Sequence, residues 1–152
     1  MAIKIRKAKE TEIDTLLHFE QKIIEAERPF DNTLKDGEIH YYNLVELIKS
    51  NKAEVLVAEA DEEIIGSGYA KIKEAEPFQK FEEYAYVGFM YVEPAFRGQG
   101  IAQKILRALM EWAKSCSITE VRLDVYDKNV AAKKAYLKAG LKANLLEMRI
   151  EV

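Results

Sequence analysis

The stretch FMYVEPAFRGQGIAQKIL (Phe89–Leu106) decides how the chain is read. It starts as an apolar β-run that Pro94 ends, and it closes as the first turns of a helix whose apolar stripe is Ile101, Ala102, Ile105, Leu106, Leu109, Met110 and Trp112. Between them stand Gly98 and Gly100, two glycines within three residues at a helix amino terminus. Such a turn binds anions, because unpaired N–H groups and the positive end of the helix point outward and glycine lets a ligand approach the backbone. Arg97 adds a fixed positive charge with planar donors suited to phosphate oxygens, so a pyrophosphate fits the pattern. The residues alone also allow a plain strand-to-helix turn with a solvated arginine. Two other phosphate loops are excluded: a dinucleotide fingerprint needs glycine where Gln103 stands, and a nucleotide-hydrolase loop needs a lysine directly after its last glycine, whereas Lys104 comes four residues later.

Working outward, Ile3 and Ile5 predict a short strand, and Thr11 with Asp14 predicts a capped helix start. Ile13, Leu16, Leu17, Ile23 and Ile24 carry that helix to about Glu27, ahead of Pro29. A loop from Arg28 to Gly37 follows, then a shorter helix through Tyr41, Leu44, Val45, Leu47 and Ile48. VLVAEA (Val55–Ala60), an acidic turn at Asp61 to Glu63 and IIGSGYAKI (Ile64–Ile72) form a β-hairpin, with a third strand at YAYVGFMYV (Tyr84–Val92). After the glycine loop and its helix come strand VRLDVY (Val121–Tyr126), a helix from Asn129 closed by Gly140, and a last strand in the alternating residues Leu145 to Val152. The expected class is α+β: a central, mostly antiparallel mixed sheet with about four helices, in a single domain spanning residues 1–152.

Composition narrows the function classes. The 152 residues are 49% hydrophobic and 32% charged, enough for a core without disulfide or metal. A net charge of −3 with both signs interspersed argues against nucleic acid and anionic membrane as partners. Cys116 is the single cysteine, and His18 and His40 stand far apart, so no metal is expected and no signature ties a histidine to the thiol. Without an apolar signal segment or membrane-length run, the sequence predicts a cytoplasmic protein.

The sequence resembles the GNAT superfamily of acyl-CoA-dependent N-acetyltransferases. The family's loop [QR]-x-x-G-x-[GA] is matched by Arg97, Gly100 and Ala102, with the usual extra glycine at Gly98; the preceding strand ends in Val-x-Pro, and Asn129, Ala132, Tyr136 and Gly140 match N-x-x-A-x-x-x-Y-x-x-x-G. The resemblance implies a GNAT fold with a splayed sheet, acetyl-CoA as co-substrate, no metal, and direct transfer of the acetyl group through a tetrahedral intermediate to a primary amine. The acceptor it implies is a small molecule or a protein amino terminus, and a homodimer is compatible with it. By the same resemblance, backbone groups of Met90, Tyr91 and Val92 hold the pantetheine arm and face the thioester oxygen. Arg97, Gly98, Gln99, Gly100, Ile101 and Ala102 hold the diphosphate, and Asn129 adds a cofactor contact.

The same resemblance makes Tyr136 the general acid for the departing sulfur; a phenol stays protonated at neutral pH. On spacing alone Tyr136 reads equally as a core aromatic, and Asn129 as a helix cap. Asp124 projects from the face of its strand opposite Leu123 and Val125, and some family members that acetylate peptide amino termini carry an acid there. The base stays open between Asp124, a water chain and a group on the substrate, because the strand before the loop carries Gly88 where many family enzymes have glutamate. Glu27, Arg28 and Phe30 lie in the loop that shapes the acceptor pocket in the family. Longer-chain or succinyl donors also remain open, and the reading from another class is a CoA-binding sensor or regulatory module that performs no transfer.

Overall fold

The computed structural model describes residues 2–152. Nine elements follow in chain order: β1 (Ile3–Lys7), α1 (Ile13–Glu27), α2 (Leu44–Lys49), β2 (Ala53–Ala60), β3 (Glu63–Glu74), β4 (Glu83–Val92), α3 (Ile101–Ser115), β5 (Val121–Leu123) and α4 (Val130–Lys138). The strands form one sheet in the order β1-β2-β3-β4-β5, antiparallel throughout except for the parallel pair β4 and β5. The α+β class read from the sequence is therefore the observed one.

The sheet is covered on both faces. On one, Leu16 and Phe19 of α1 and Leu44 and Leu47 of α2 pack on Val55, Val57, Tyr69, Phe89 and Tyr91. On the other, Ile101, Ile105, Leu106 and Leu109 of α3 pack on Leu56, Ala58, Ile65, Ala70 and Val87. Strand β2 supplies Val55 and Val57 to one layer and Leu56 and Ala58 to the other, which is why its sequence is a continuous apolar run rather than an alternation. Its hairpin to β3 turns on Asp61 and Glu62, both at positive φ (49° and 66°), the geometry of a two-residue turn matched to strand twist.

Three boundaries differ from the sequence reading, each because a backbone group finds another partner. A 3-10 turn at Glu10–Glu12 precedes α1, so the capping pair is Lys9 and Glu12 rather than Thr11 and Asp14: the Lys9 N–H donates to Glu12 Oε1 at 2.7 Å, and Arg6 grips the same carboxyl. Helix α2 starts at Leu44, capped by Asn43, whose side chain accepts from the Glu46 N–H, because the N–H groups of Tyr41 and Tyr42 are drawn to Glu20. The expected last strand, Leu145–Val152, does not form, and β5 ends at Leu123 rather than Tyr126. A strand needs a neighbour to take its hydrogen bonds, and Arg149 instead holds this tail to Asp31 and Thr33.

Glu20 fixes the path between α1 and α2. Fully buried, it accepts both backbone N–H groups at 2.9 Å through Oε2, and its Oε1 lies 2.7 Å from Nδ1 of His40. Satisfying a buried carboxyl this fully removes most of the cost of burying it. The bond to Glu20 raises the His40 pKa above its ordinary 6.5. A raised histidine stabilises the fold fully below the unfolded value and loses that contribution as pH climbs through the folded one. Thermal melts of the wild type and His40→Asn are expected to differ most below the unfolded histidine's pKa of 6.5 and to draw closer as the pH rises above it; a gap constant with pH would count against a charged His40.

Candidate active site

Strands β4 and β5 pair only at Ala85, Tyr86 and Val87, opposite Val121, Arg122 and Leu123. Beyond Val87 they part, and the second half of β4 has no strand on that side. The parting begins at a β-bulge. Phe89 has φ of 57°, in the left-handed region, and the register with β3 slips between Ser67 and Tyr69. The extra residue exchanges the faces of the strand. Tyr86 and Val87 point to the α1–α2 and α3 layers respectively, whereas beyond the bulge Phe89 and Tyr91 point to the α1–α2 layer and Met90 and Val92 to the α3 layer.

Two hydroxyls hold this conformation. The Phe89 N–H donates to Tyr42 Oη at 3.2 Å, and the buried Ser67 Oγ donates to the Phe89 carbonyl at 3.0 Å. Burial pushes the Tyr42 phenol well above its usual pKa, so it stays neutral. Gly88 has a separate reason: a Cβ there would come within 2.4 Å of the Tyr69 ring. The glutamate absent from this position is therefore excluded by an aromatic ring that occupies its place.

A 3-10 turn at Pro94–Phe96 then carries the chain into the glycine loop. Gly98 and Gly100 take φ of 80° and 77°, and a Cβ on either would meet nothing within 4 Å. They are glycine for the backbone angle and leave open space above the loop, as a cradle for a ligand requires. Gly100 is the N-cap of α3 and offers no side-chain cap, so the first N–H groups of the helix face outward. Buried Ile101 anchors the helix end. Arg97 is exposed and turned back: its Nε donates to the Val92 carbonyl at 2.8 Å and its guanidinium lies 5.7 Å from the Tyr91 ring centroid. The Val92 carbonyl is thus already taken by Arg97.

Helix α4 runs beside this loop. Asn129 caps it, its side chain accepting from the Ala132 N–H at 3.2 Å, and Gly140 closes it at φ of 101° with the Leu141 N–H bonded back to the Tyr136 carbonyl. Gln103, one turn into α3, donates through Nε2 to the Ala135 carbonyl at 2.9 Å and ties the two helices together. Tyr136 packs against the α3-side core, and burial, with a smaller contribution from Glu27, raises its pKa. Asp124 is exposed just after β5 and accepts from Tyr86 Oη at 3.0 Å, bridging the two strands where they part.

The α1–α2 loop closes the opposite side. Tyr126 Oη donates to Asp31 at 2.8 Å, and Arg28 donates to the carbonyls of Lys35 and Gly37. Burial raises the pKa of half-buried Glu27, and the buried Tyr41 hydroxyl faces it without a partner at hydrogen-bond distance. Sequence reasoning had placed Met90 to Val92, the loop and Tyr136 on neighbouring elements, and missed Phe89, Tyr42, Ser67 and Tyr86. Only the bulge itself would have revealed them.

A family model described as the Acetyltransferase (GNAT) family matches residues 17–141. The chain belongs to that family and is an acetyltransferase of its class. A search of curated proteins finds no match. Among solved structures, a mutant of the BH1408 protein from Bacillus halodurans superposes with a TM-score of 0.88 at 21% identity, over 98% of this chain and 99% of that one. A predicted acetyltransferase from Clostridium acetobutylicum, solved with acetyl-CoA, gives 0.75 at 24%, over 97% and 96%. Glucosamine-6-phosphate N-acetyltransferase from Arabidopsis thaliana gives 0.74 at 18%, over 99% of both chains. These likenesses establish a shared fold.

Gly100→Val is expected to weaken CoA binding by at least about tenfold, since a β-branched residue is strained at this φ and crowds the open space. Calorimetric titration with CoA measures it, and an unchanged dissociation constant would discredit the loop as the diphosphate site.

Proposed function

We propose that this acetyltransferase uses acetyl-CoA to acetylate a primary amine by direct transfer, with residues 1–152 acting as one catalytic domain in a reducing cytoplasm. The observation that carries the reading is the gap between β4 and β5 beside the glycine-opened end of α3, with Asp124 just after β5 and Tyr136 on α4, the helix tied to α3 by Gln103. When bound, acetyl-CoA supplies the thioester whose C–S bond breaks as the amine takes the acetyl group.

The chain's residues divide the remaining work. The N–H groups of Gly98, Gln99, Gly100, Ile101 and Ala102, with the Nη groups of Arg97, would hold the diphosphate. The free edge of β4 at Met90, Tyr91 and Val92 would align the pantetheine arm as an added strand does. The Phe89 N–H is committed to Tyr42, so a backbone N–H at Met90, Tyr91 or Val92 would face the charge developing on the thioester oxygen. Tyr136 would donate its proton to the departing sulfur; its raised pKa keeps that proton in place at neutral pH. Asp124 has one oxygen bonded to Tyr86 and the other available, so it would accept the amine proton directly or through water. Asn129 is committed to its capping bond, and any cofactor contact is additional.

The acceptor is proposed as a small amine or a protein amino terminus. The amino sugar phosphate named for the Arabidopsis relative and a set of peptides with free amino termini are the natural first panel. With acetyl-CoA and that panel, thiol release should appear for at least one amine. Tyr136→Phe should lower kcat by about 10²-fold or more with CoA affinity retained. CoA binding without thiol release for any amine would instead identify a sensor or regulatory module.

A further inference from the structure

Helix α1 ends against the usual electrostatic preference. The carboxyl end of a helix carries partial negative charge and favours lysine or arginine. The last turn of α1 has no basic residue, and the helix finishes on Glu27. Arg28, next in the chain, is turned away to the carbonyls of Lys35 and Gly37. Glu27 is half-buried, and among the described residues no lysine or arginine stands at ion-pair distance from it. The Tyr41 hydroxyl that faces it is enclosed and has no hydrogen-bond partner. A local rule broken in this way marks a functional position, and an unpaired carboxylate among phenols is a receptor for a positive charge.

A second carboxyl of the same kind lies where β4 and β5 part. Asp124 accepts from the Tyr86 hydroxyl at 3.0 Å and likewise has no ion-pair partner among the described residues. Tyr86 is within the field of both: burial raises its pKa most, Asp124 adds to that, and Glu27 contributes a smaller push. Glu27 acts in the same sense on Tyr126 and Tyr136, so it belongs to the cleft that holds the proposed acid. Aromatic faces line this region. The Lys73 Nζ stands 4.1 Å from the Tyr86 ring centroid, and the Phe30 and Tyr126 rings lie 6.1 Å apart. Such faces attract cations. Asp31, the third carboxyl here, is already answered: Arg149 pairs with it at 3.1 Å and Tyr126 donates to it. We propose that the acceptor is a small diamine, with Glu27 holding the ammonium that is not acetylated while the other amine is presented at Asp124.

The proposal rests on the transfer reading for the place of the reacting amine, and on the end of α1 for the rest. An amine that also carries a phosphate or carboxylate would bring a like charge against two unpaired carboxylates, which counts against it. Contacts of Tyr126 and Arg149 with Asp31 tie the α1–α2 loop across this side, which favours a small amine over a polypeptide. In the transfer, the reacting amine gives its proton to Asp124 and its lone pair to the acetyl carbon. The electrons of the C–S bond leave with sulfur, which takes the Tyr136 proton. The far ammonium keeps its protons and its charge throughout. Its pairing with Glu27 therefore contributes to binding and not to the chemical step, which makes Glu27 a specificity-determining residue.

Thiol release from acetyl-CoA tests it with putrescine, cadaverine and hexamethylenediamine. Each is compared with the monoamine that has methyl in place of the far ammonium and with the amino acid that has carboxylate there. The wild type should favour at least one diamine over its monoamine by about tenfold or more in kcat/KM, with the amino acid poorest. Glu27→Gln, close in shape, should raise KM for that diamine about tenfold with kcat little changed, and leave the monoamine as it was. Glu27→Lys should move the preference toward the amino acid. Calorimetric titration of the same amines with CoA present needs no turnover: the diamine should bind more tightly than its monoamine, and Glu27→Gln should remove the difference. Should the titrations behave so with no thiol released, the transfer reading falls and the diamine site stands. Thiol release that is equal for monoamines, or better with basic peptides than with every diamine, overturns the inference and leaves transfer intact. Equal affinities for diamine and monoamine overturn it outright, as does a Glu27→Gln protein that loses kcat on both alike.

Discussion

The arrangement of this molecule depends on one misfit residue in β4. A strand that keeps strict alternation presents the same face to the same layer along its whole length. The bulge at Phe89 breaks that rule once, so residues before and after it serve opposite layers, and β4 turns away from β5 where the extra residue is inserted. Holding a non-glycine residue in the left-handed region costs of order 1–3 kcal/mol, which the surroundings must offset. The hydroxyls of Tyr42 and Ser67 do so by taking both backbone groups of Phe89, and the rings of Tyr42, Tyr69 and Phe89 pack against one another at 5.3–5.4 Å from the Tyr42 centroid.

That support reaches back to the helices. Tyr42 stands where it does because Glu20, deep in α1, collects its backbone N–H together with that of Tyr41. A buried carboxyl thus fixes the loop, the loop presents a phenol, and the phenol steadies the strand distortion beside the candidate site. Each link is polar and interior, where an unmet partner is costly, so the chain of contacts defines one arrangement rather than several. Long-range pairing of residues 20, 42 and 89 accomplishes what no local segment encodes.

This division explains how much was legible beforehand. Strand and helix types, the hairpin, the glycine loop and the closing Gly140 follow from local period and turn chemistry, and they lie where the sequence places them. The α1 start was misplaced because Glu12 competes with Thr11 for the role, and α2 was drawn too long because Tyr41 and Tyr42 answer to Glu20. Leu145 to Val152 carry a correct strand pattern, yet pattern states only what a segment can pair with, not that a partner lies beside it in the single chain. In the candidate site, the glycines and Tyr136 belong to compact motifs, whereas Phe89, Tyr42 and Ser67 matter through a bulge that YAYVGFMYV does not announce.

One amide between helices has a wider reach than its single bond suggests. Gln103 sits a turn inside the helix whose end forms the glycine cradle, and it clasps the carbonyl immediately before Tyr136. That clasp joins the first turn of α3 to the backbone beside the Tyr136 phenol. The glycine turn and the middle of α4 are thereby fastened to each other across the two helices.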